Sequence, residues 1–348
     1  MDGARGEGGG QILRTSLSLA ALLGLEIEVF NVRAGRKKPG LAAQHVTCCL
    51  AVAEVCGGQV EGAELGSQTV RLIPGTPTGG EYELDVAGVR PSAGSACLIL
   101  QSALPVLALA PGASRVTIKG GTDVPWSPVY TYLTGTFAPA LARFGVELRL
   151  TRSRAGFYPV GQGCIEASIT PCRTLSAVNL RERGDLTGAT VAGTVADNLP
   201  EHILKRQNAA AADLLAAEGL EAEREEYYLR SISPGTSCVV SLSYENGHAG
   251  FTALGKRGKP AEQVGEEAAC GAIEFMKSQA ATDRHLADQL LLYMTIASGR
   301  SELQAAEVTT HLRTNAVVAS ELTGATIAIG DDGHVVVDGI GVGAGHTC

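Results

Sequence analysis

The strongest candidate for chemistry in this chain is His311, which opens the segment His311-Leu-Arg-Thr-Asn315. The segment follows an acidic, threonine-rich stretch, residues 302–310, and precedes the apolar run 316–319, so a helix is predicted to start here. A neutral imidazole at a helix start can act as a nucleophile, because the amino-terminal end favours a negatively charged reacting group nearby. The alternative is an ordinary histidine at a helix boundary.

Composition predicts a large protein with extensive turns. The chain has 348 residues, of which 45% are hydrophobic, enough for a large core and more than one domain. Its 44 glycines and 4% aromatic residues indicate many turns and cores built from alanine, valine and leucine. The net charge of −8 means that any contact with nucleic acid would depend on a local basic patch.

The cysteine pattern and the hydropathy favour a soluble protein in a reducing compartment. The number of cysteines, nine, is odd, no Cys-x-x-Cys occurs and none is grouped with histidines, so we expect reduced, mostly core cysteines and no zinc site. No signal peptide is recognised, and the apolar stretch 97–110 is too short to span a bilayer. We therefore expect a cytoplasmic protein without membrane contact. The cysteines are Cys48, Cys49, Cys56, Cys97, Cys164, Cys172, Cys238, Cys270 and Cys348.

The order helix, strand, loop, helix, strand is predicted three times, which indicates three packed α/β units. The loop before the second helix carries reactive or charged groups in the first and third copies, and Asp123, Trp126 and two prolines in the second. The predicted copies are a helix closed by Gly24, strand 26–32, basic loop 33–40, helix 42–56 and strand 59–65; helix 93–110, strand 115–120, loop 121–128, a helix to about 144 and strand 146–150; and helix 285–297, strand 301–306, the loop with Thr309 and Thr310, the His311 helix and strand 325–329.

The segment 182–275 has a different texture and predicts a small inserted α/β domain. We expect a strand at 190–195, then a helix started by Asp197-Asn-Leu-Pro-Glu201, with a capping side chain and proline in its first turn, and stopped by Gly219. Strands at 221–228, 237–244 and 250–254 and a helix from about 260 follow. The domains would then be 1–181 together with 276–348, and 182–275. Two domains in series is the alternative; insertion is favoured because the third unit needs a strand near 163–169.

Six motifs, in order along almost the whole chain, resemble the signatures of the RNA 3′-terminal phosphate cyclase family. As a set they are highly specific, although any one alone would be weak. They are Glu7-Gly-Gly-Gly-Gln11-Ile-Leu-Arg14, Arg33-Ala-Gly-Arg36-Lys-Lys-Pro-Gly40, Gly120-Gly-Thr-Asp123, Gly156-Phe-Tyr-Pro159-Val-Gly-Gln-Gly163, Leu286-Ala-Asp-Gln289 and His311-Leu-Arg-Thr-Asn315.

The resemblance implies both a fold and a reaction. The fold would be α/β (α+β), with three repeated units similar to the C-terminal domain of translation initiation factor three and a small thioredoxin-like insert. The protein would be an ATP-dependent, AMP-forming ligase of RNA processing that converts an RNA 3′-phosphate to a 2′,3′-cyclic phosphate. Its intermediates would be a covalent histidine–AMP and an RNA-(3′)pp(5′)A, and its partners ATP and RNA 3′-phosphate ends. A homodimer is left open.

The resemblance also implies roles for charged residues. His311 would be the nucleophile that receives AMP, and Glu7 would hold a divalent metal, Mg²⁺ or Mn²⁺, on the triphosphate; the alternative for Glu7 is a cap of the first helix. Arg14 and Arg36, with Arg33 and Lys38, would clamp ATP phosphates or the RNA end. For each cation alone, a solvated surface position is the alternative.

The remaining implied contacts concern the nucleoside. Asp288 and Gln289, in the motif with Leu286 and Ala287, would contact adenosine; the alternative is that they cap a helix. His285 departs from the tyrosine that related sequences can carry, and its flat ring would stack on adenine. Gln101 would contact ribose or phosphate, unless it is satisfied within the core, and Pro128 would form part of the adenine wall. The other histidines, expected to be structural or surface groups, are His45, His202, His248, His334 and His346.

Two rival functions remain open at this point. A non-catalytic relative that serves ribosome assembly as a binding module would lack the nucleophile, so the presence of His311 and of residues 286–289 argues against it. An enolpyruvyl transferase is built from similar repeated units, but it would show a different set of charged residues and would need no histidine nucleophile.

Overall fold

The computed structural model describes residues 1–343, and the predictions for His346 and Cys348 fall outside this range. Within it the chain forms a mixed α/β fold with four sheets. The first sheet belongs to a unit in which two outer strands flank a third strand that is antiparallel to both. Its elements are α1 (Gly10–Leu23), β1 (Ile27–Val29), α2 (Ala43–Val55), β2 (Gln59–Glu61) and β3 (Val70–Ile73), with sheet order β1-β3-β2.

The second sheet repeats this arrangement and adds one parallel strand at its edge. Its order is β4-β5-β7-β6, so that β7 is central and antiparallel to β5 and β6. The elements are β4 (Glu81–Asp85), α3 (Val86–Val89), α4 (Ala96–Ala108), β5 (Ser114–Gly120), α5 (Tyr130–Tyr132), a π-helical turn (Leu133–Phe137), α6 (Ala138–Ala142), β6 (Glu147–Arg154) and β7 (Gly163–Thr170).

A short strand, β8 (Asn179–Leu180), precedes a four-stranded sheet that is formed entirely by neighbouring sequence. Its order is β10-β9-β11-β12, and α7 and α8 pack against each other and against its strands. The elements are β9 (Leu186–Ala196), α7 (His202–Ala217), β10 (Glu223–Leu229), β11 (Thr236–Tyr244), β12 (His248–Leu254) and α8 (Ala261–Met276). Below we call it the inserted sheet.

The fourth sheet closes the chain with the same arrangement for the third time. Its order is β14-β15-β13-β8, with β15 central and antiparallel to β13 and β14, and with β8 parallel to β13 at the edge. The elements are α9 (Leu286–Ile296), β13 (Ser298–Gln304), α10 (Thr310–Thr323), β14 (Thr326–Ile329) and β15 (His334–Ile340). The predicted order of helices and strands is therefore present in all three units, with one further strand in the first (β3) and two in each of the others (β4 and β7; β8 and β15).

The hydrophobic core follows this organisation. One continuous cluster joins the three repeated units and includes Leu17, Leu104, Ile118 and Leu290, which are fully buried. A separate cluster lies between the inserted sheet and α7 and α8. The described cysteines are free; Cys48, Cys49, Cys56, Cys97 and Cys238 are buried, Cys164 and Cys172 are half-buried and Cys270 is exposed. Among residues 1–343, no helix combines the length and apolar character needed to cross a membrane.

Two local predictions were wrong. The strand near 163–169 was assigned to the third unit, but β7 pairs with β5 and β6 of the second unit, whose open edges it fills; the third unit uses β8 instead. The helix expected to start with an Asp197 cap begins at His202, and its N-cap, Glu201, makes no side-chain cap bond. Asp197 instead accepts a hydrogen bond from the Ser231 N–H at 3.2 Å, which ties it to the loop after β10.

Candidate active site

The equivalent loops of the three units meet at one cleft and a cavity that adjoins it. The segment between the first strand and the second helix lines the cleft with Arg33 and Arg36 in the first unit and with Trp126 and Pro128 in the second. In the third unit this segment lines the adjoining cavity, and His311, just after it, lines both. The cleft has a volume of about 920 Å³. Residues of α1, α4, α9 and β12 complete its walls: Gly10, Gln11, Arg14, Thr15, Ser18, Leu98, Gln101, Pro105, Asp288, Gln289, Leu292, Tyr293, Gly250, Thr252 and Leu254.

His311 lies in the first turn of α10, as predicted, and its side chain is exposed. The Thr309 hydroxyl caps this helix by accepting the Leu312 N–H at 3.1 Å, while Leu312 itself is fully buried and anchors the turn. His311 also lines an adjoining cavity of about 430 Å³, together with Thr309 and Thr310. The imidazole therefore lies where two cavities meet.

The N-terminal turn folds against the His311 helix. The Glu7 N–H donates to the Thr314 hydroxyl at 3.3 Å. Gly6 has φ +52°, and a β-carbon there would lie 2.1 Å from Thr314 Oγ1, so this close approach requires glycine. As a result, Glu7 lines both cavities that His311 lines.

The Glu7 carboxylate is only partly satisfied. Its Oε2 accepts a hydrogen bond from Arg36 at 2.6 Å, whereas Oε1 is buried without a partner among the described residues. The Glu7 side chain is 8% exposed and that of Arg36 is 48% exposed. The first helix has Gly9 as its N-cap and no side-chain cap bond, so Glu7 does not cap it. One carboxylate oxygen of this cleft-lining residue is therefore buried without a hydrogen bond.

Two further polar side chains of the cleft lining, Arg14 and His45, have pKa values lowered by burial. Arg14 donates to Gln11 Oε1 at 2.5 Å, and burial lowers the pKa of its guanidinium. His45 is buried, and its Nδ1 accepts the Ala42 N–H at 3.1 Å. Burial, with Arg14 and Arg33 nearby, lowers the pKa of His45 to about 3, so its imidazole is neutral near pH 7. We predicted that His45 is a structural or surface group. It is a buried structural group, and it also lines the cleft.

Side-chain amides join the helices that surround the cleft. Gln101 of α4 donates to Gln289 of α9 at 2.9 Å. Asn315 of α10 accepts from the Thr15 hydroxyl at 2.9 Å and donates to the Asp288 carbonyl at 3.3 Å. Four helices, of which only α9 and α10 are consecutive along the chain, are thus held together at the site.

The motif Leu286-Ala-Asp-Gln289, expected to contact adenosine, is divided between the cleft and the core. Asp288 and Gln289 are half-buried and face the cleft, and burial raises the pKa of Asp288 to about 7, against the opposing effect of Arg14. Leu286 and Ala287 are fully buried, so their side chains lie behind the cleft wall. His285 is exposed and lines both cavities. Pro128 is half-buried in the cleft, whereas Lys38 is exposed and is not part of its lining.

Asp283, which belongs to none of the six sequence motifs, fixes the start of α9. Its carboxylate is 1% exposed and accepts the N–H groups of His285 (2.8 Å), Leu286 (3.0 Å) and Gly250 (3.0 Å). The Tyr132 hydroxyl donates to it at 3.1 Å. Burial raises the pKa of Asp283, and the backbone N–H groups oppose that shift. Asp283, and neither Asp288 nor Gln289, therefore caps this helix, and only the tertiary structure brings Gly250 and Tyr132 to it.

Comparisons with known proteins give a consistent picture. The family model described as RNA 3′-terminal phosphate cyclase matches residues 5–329. A protein of that name from Methylococcus capsulatus is 47% identical, over 91% of this chain and 89% of its own length. Others of the same name are 42% identical in Nostoc punctiforme, over 97% of both chains, and 40% identical in Pyrobaculum aerophilum, over 92% of this chain and 91% of its own.

Among solved structures, the enolpyruvyl transferase NikO from Streptomyces tendae aligns with 97% of this chain and 48% of its own, with a TM-score of 0.43 and 14% identity. That similarity is too low to assign a fold or a function. By the family match and the sequence relatives, the chain belongs to the RNA 3′-terminal phosphate cyclase family.

Proposed function

We propose that this protein converts an RNA 3′-phosphate to a 2′,3′-cyclic phosphate at the expense of ATP, through a covalent His311–AMP and an RNA-(3′)pp(5′)A intermediate. The observation that carries the proposal is the convergence of the three equivalent loops on two adjoining cavities, with His311 and Glu7 lining both. The names of the relatives support the substrate and the reaction.

In the first step His311 attacks the α-phosphorus of ATP. A nitrogen–phosphorus bond forms while the bond to pyrophosphate breaks, and the attacking nitrogen uses its free lone pair. The position of the imidazole in the first turn of α10 supports this role, because the amino-terminal end of a helix stabilises the negative charge of phosphate groups. The exposed ring has no hydrogen-bond partner to displace among the described residues.

The nucleotide would lie along α9, α1 and α4. Asp288 and Gln289 would bind the adenosine, with Gln101 held in place by Gln289 and with His285 and Pro128 beside the base. Leu286 and Ala287 could contribute only through their backbone, because their side chains are in the core. Arg14 and Arg36 would neutralise phosphate charge; Arg36 is the more exposed of the two and faces both cavities.

A divalent metal, Mg²⁺ or Mn²⁺, fits the chemistry of Glu7. Its Oε1 is buried and unpartnered, and hard cations prefer such oxygen ligands. The described residues contain no group of three or more acidic, histidine or cysteine ligands, so phosphate oxygens and water would have to complete the coordination. When bound, the ion would neutralise negative charge on the triphosphate.

The second and third steps need positioning more than further catalytic groups. An oxygen of the RNA 3′-phosphate attacks the phosphorus of AMP, and the bond to His311 breaks. The neighbouring ribose 2′-oxygen then attacks the activated phosphate, loses its proton and expels AMP. This last step is intramolecular, and correct orientation alone accelerates such reactions strongly. The adjoining cavity, with Arg284, Thr309 and Thr310 in its lining, suits the RNA phosphate.

We further propose the domain organisation that the resemblance implies. Residues 1–181 and 276–348 would form the catalytic domain, with three units similar to the C-terminal domain of translation initiation factor three. Residues 182–275 would form a thioredoxin-like insert, which the separate hydrophobic cluster of the inserted sheet supports. The free cysteines of residues 1–343 are in keeping with a reducing, cytoplasmic location. A homodimer remains a hypothesis.

Incubation with ATP labelled at the α-phosphate and Mg²⁺ tests the proposal. The protein should acquire an acid-labile AMP label, and a 3′-phosphorylated RNA should become resistant to phosphatase. His311→Ala should abolish both, while His202→Ala, an exposed histidine of α7, should have no effect. Labelling of the His311→Ala protein would show that the nucleophile is another residue.

A further inference from the structure

Trp126 is the single tryptophan of the chain and its side chain is 100% exposed. Tryptophan is on average among the more buried residues, because its large ring gains from burial. Its backbone has φ +65°, a left-handed conformation that residues other than glycine rarely adopt. Neither feature stabilises the free protein, so both call for an explanation outside the fold.

The loop that presents Trp126 is anchored on both sides. The N–H groups of Thr122 and Asp123 donate to the Gly156 carbonyl at 2.9 and 3.1 Å, and the Tyr130 N–H donates to the Thr122 carbonyl at 2.9 Å. At the tip, the Ser127 hydroxyl donates to the Val124 carbonyl at 3.1 Å. Prolines at 125 and 128 restrict the tip further. The indole is therefore held out into solvent by a fixed turn.

A buried ion pair anchors the same loop from below. Asp123 accepts a hydrogen bond from Arg152 at 2.6 Å, with both side chains at most 1% exposed. Its other oxygen accepts the Ser237 hydroxyl of the inserted sheet at 2.7 Å. Loss of one partner from such a buried pair is strongly destabilising, so the turn below Trp126 has little freedom to rearrange.

Trp126 lies in the loop between the first strand and the second helix of the second unit. The equivalent loop of the first unit contains Arg36, and that of the third unit ends at the helix of His311. The first two loops line the cleft itself, and the third lines the cavity that adjoins it. An RNA whose 3′-phosphate reaches His311 must leave the cleft again, since the cleft of about 920 Å³ can enclose little more than ATP and the end of the chain. A flat, solvent-facing ring in the cleft lining is suited to meet the emerging nucleotides.

We propose that Trp126 is a stacking platform for a nucleobase near the 3′ end of the RNA substrate. This inference rests on the proposed function and names a contact for its substrate. Stacking on an aromatic face is tolerant of sequence, because every base has such a face. It also depends little on charge, which suits a chain of net charge −8 that can offer few phosphate contacts.

The single tryptophan makes the contact directly observable. Titration of the whole protein with a short 3′-phosphorylated RNA, without ATP, should quench its tryptophan fluorescence, and ATP with Mg²⁺ alone should not. Quenching by ATP and none by RNA would assign the indole to adenine and overturn the proposal. Absence of quenching by RNA, with binding demonstrated by filter retention, would overturn it as well.

Variants separate stacking from general packing. Trp126→Leu keeps an apolar side chain without a π face and should raise the KM for RNA about 5- to 150-fold, whereas Trp126→Phe should recover most of that loss. Tyr158→Leu is the matched control, because Tyr158 is 71% exposed and is not part of the cleft lining. Equal KM values for the Leu and Phe variants would refute stacking.

RNAs with one abasic nucleotide complete the test. At one position near the 3′ end, base removal should weaken binding to the wild-type protein but not to Trp126→Leu, as expected for two partners of one contact. If base removal has the same effect in both proteins at every position, the proposal fails. If the wild-type protein forms no AMP adduct and no cyclic product, the proposed function fails instead, and the fluorescence and abasic titrations remain a separate test of base stacking.

Discussion

Replacement of Asp283 by alanine tests whether one buried carboxylate holds in place the face of α9 that we propose binds adenosine. The side chain is 1% exposed and accepts four donors: the N–H groups of His285, Leu286 and Gly250, and the Tyr132 hydroxyl. These donors come from α9, from the inserted sheet and from the helix after the Trp126 loop. Alanine leaves all four without an acceptor, in a place that water does not reach.

The expected loss follows from the number and type of these bonds. A hydrogen bond to a charged group contributes roughly 1.5–3 kcal/mol, but removal of the carboxylate also relieves the cost of a buried charge. We therefore expect Asp283→Ala to lower the free energy of unfolding by about 3–5 kcal/mol. Tyr132→Phe removes one donor and keeps the other three, and should cost about 1 kcal/mol.

Urea denaturation followed by circular dichroism measures both variants, with Asp331→Ala as control, because that side chain is 98% exposed and pairs only with Arg313 at the surface. In activity assays Asp283→Ala should raise the KM for ATP more than it lowers the rate of RNA cyclisation at saturating ATP, since Asp288 and Gln289 lie in the turn that Asp283 caps. A free energy of unfolding within 1 kcal/mol of that of Asp331→Ala would refute the reasoning.

Two further predictions concern the carboxylates of the cleft. Glu7→Gln preserves size and an acceptor for Arg36 but removes the charge, so the Mg²⁺ concentration for half-maximal AMP labelling should rise about tenfold or more; an unchanged Mg²⁺ requirement would exclude Glu7 as a ligand. Asp288 has a pKa raised from 3.8 to about 7, so the folded protein binds its proton more tightly than the unfolded chain does. The stability that this provides is complete below about pH 4 and is lost as the pH rises through about 7. Urea titrations at about pH 4, 5.5 and 7.5 should show this loss in the wild-type protein and not in Asp288→Asn. If the free energy of unfolding depends on pH in the same way in both proteins, the raised pKa of Asp288 is contradicted.

Local sequence signals were sufficient for most elements. Gly24, with φ +64°, ends α1 as predicted, and the alternation of apolar residues along β5 matches its alternating burial. The His311 helix begins within one residue of the predicted start. These features depend on a few neighbouring residues, and the chain order of the motifs was enough to identify the family.

Pairing of strands could not be predicted in the same way. Periodicity marks residues 163–170 as a strand, but it carries no information about which open edges the strand fills, and so β7 was assigned to the wrong unit. The capping prediction for Asp197 failed for a related reason, since the Ser231 N–H competes for its carboxylate from across a loop. Strands β3 and β15 were not foreseen, although each completes its sheet.

The sequence by itself determined the order of elements in the three units, the place of His311 at a helix start and the family. Only the tertiary structure decided that the loops of all three units meet, that Asp283 and not Asp288 caps α9, and that Leu286 and Ala287 face the core. The physical reason is how far apart along the chain the interacting residues are. Helix starts and strand alternation are set by residues a few positions apart, whereas the cleft is set by contacts such as those of Glu7 with Thr314 and of Gln101 with Gln289, which are separated by 307 and 188 positions.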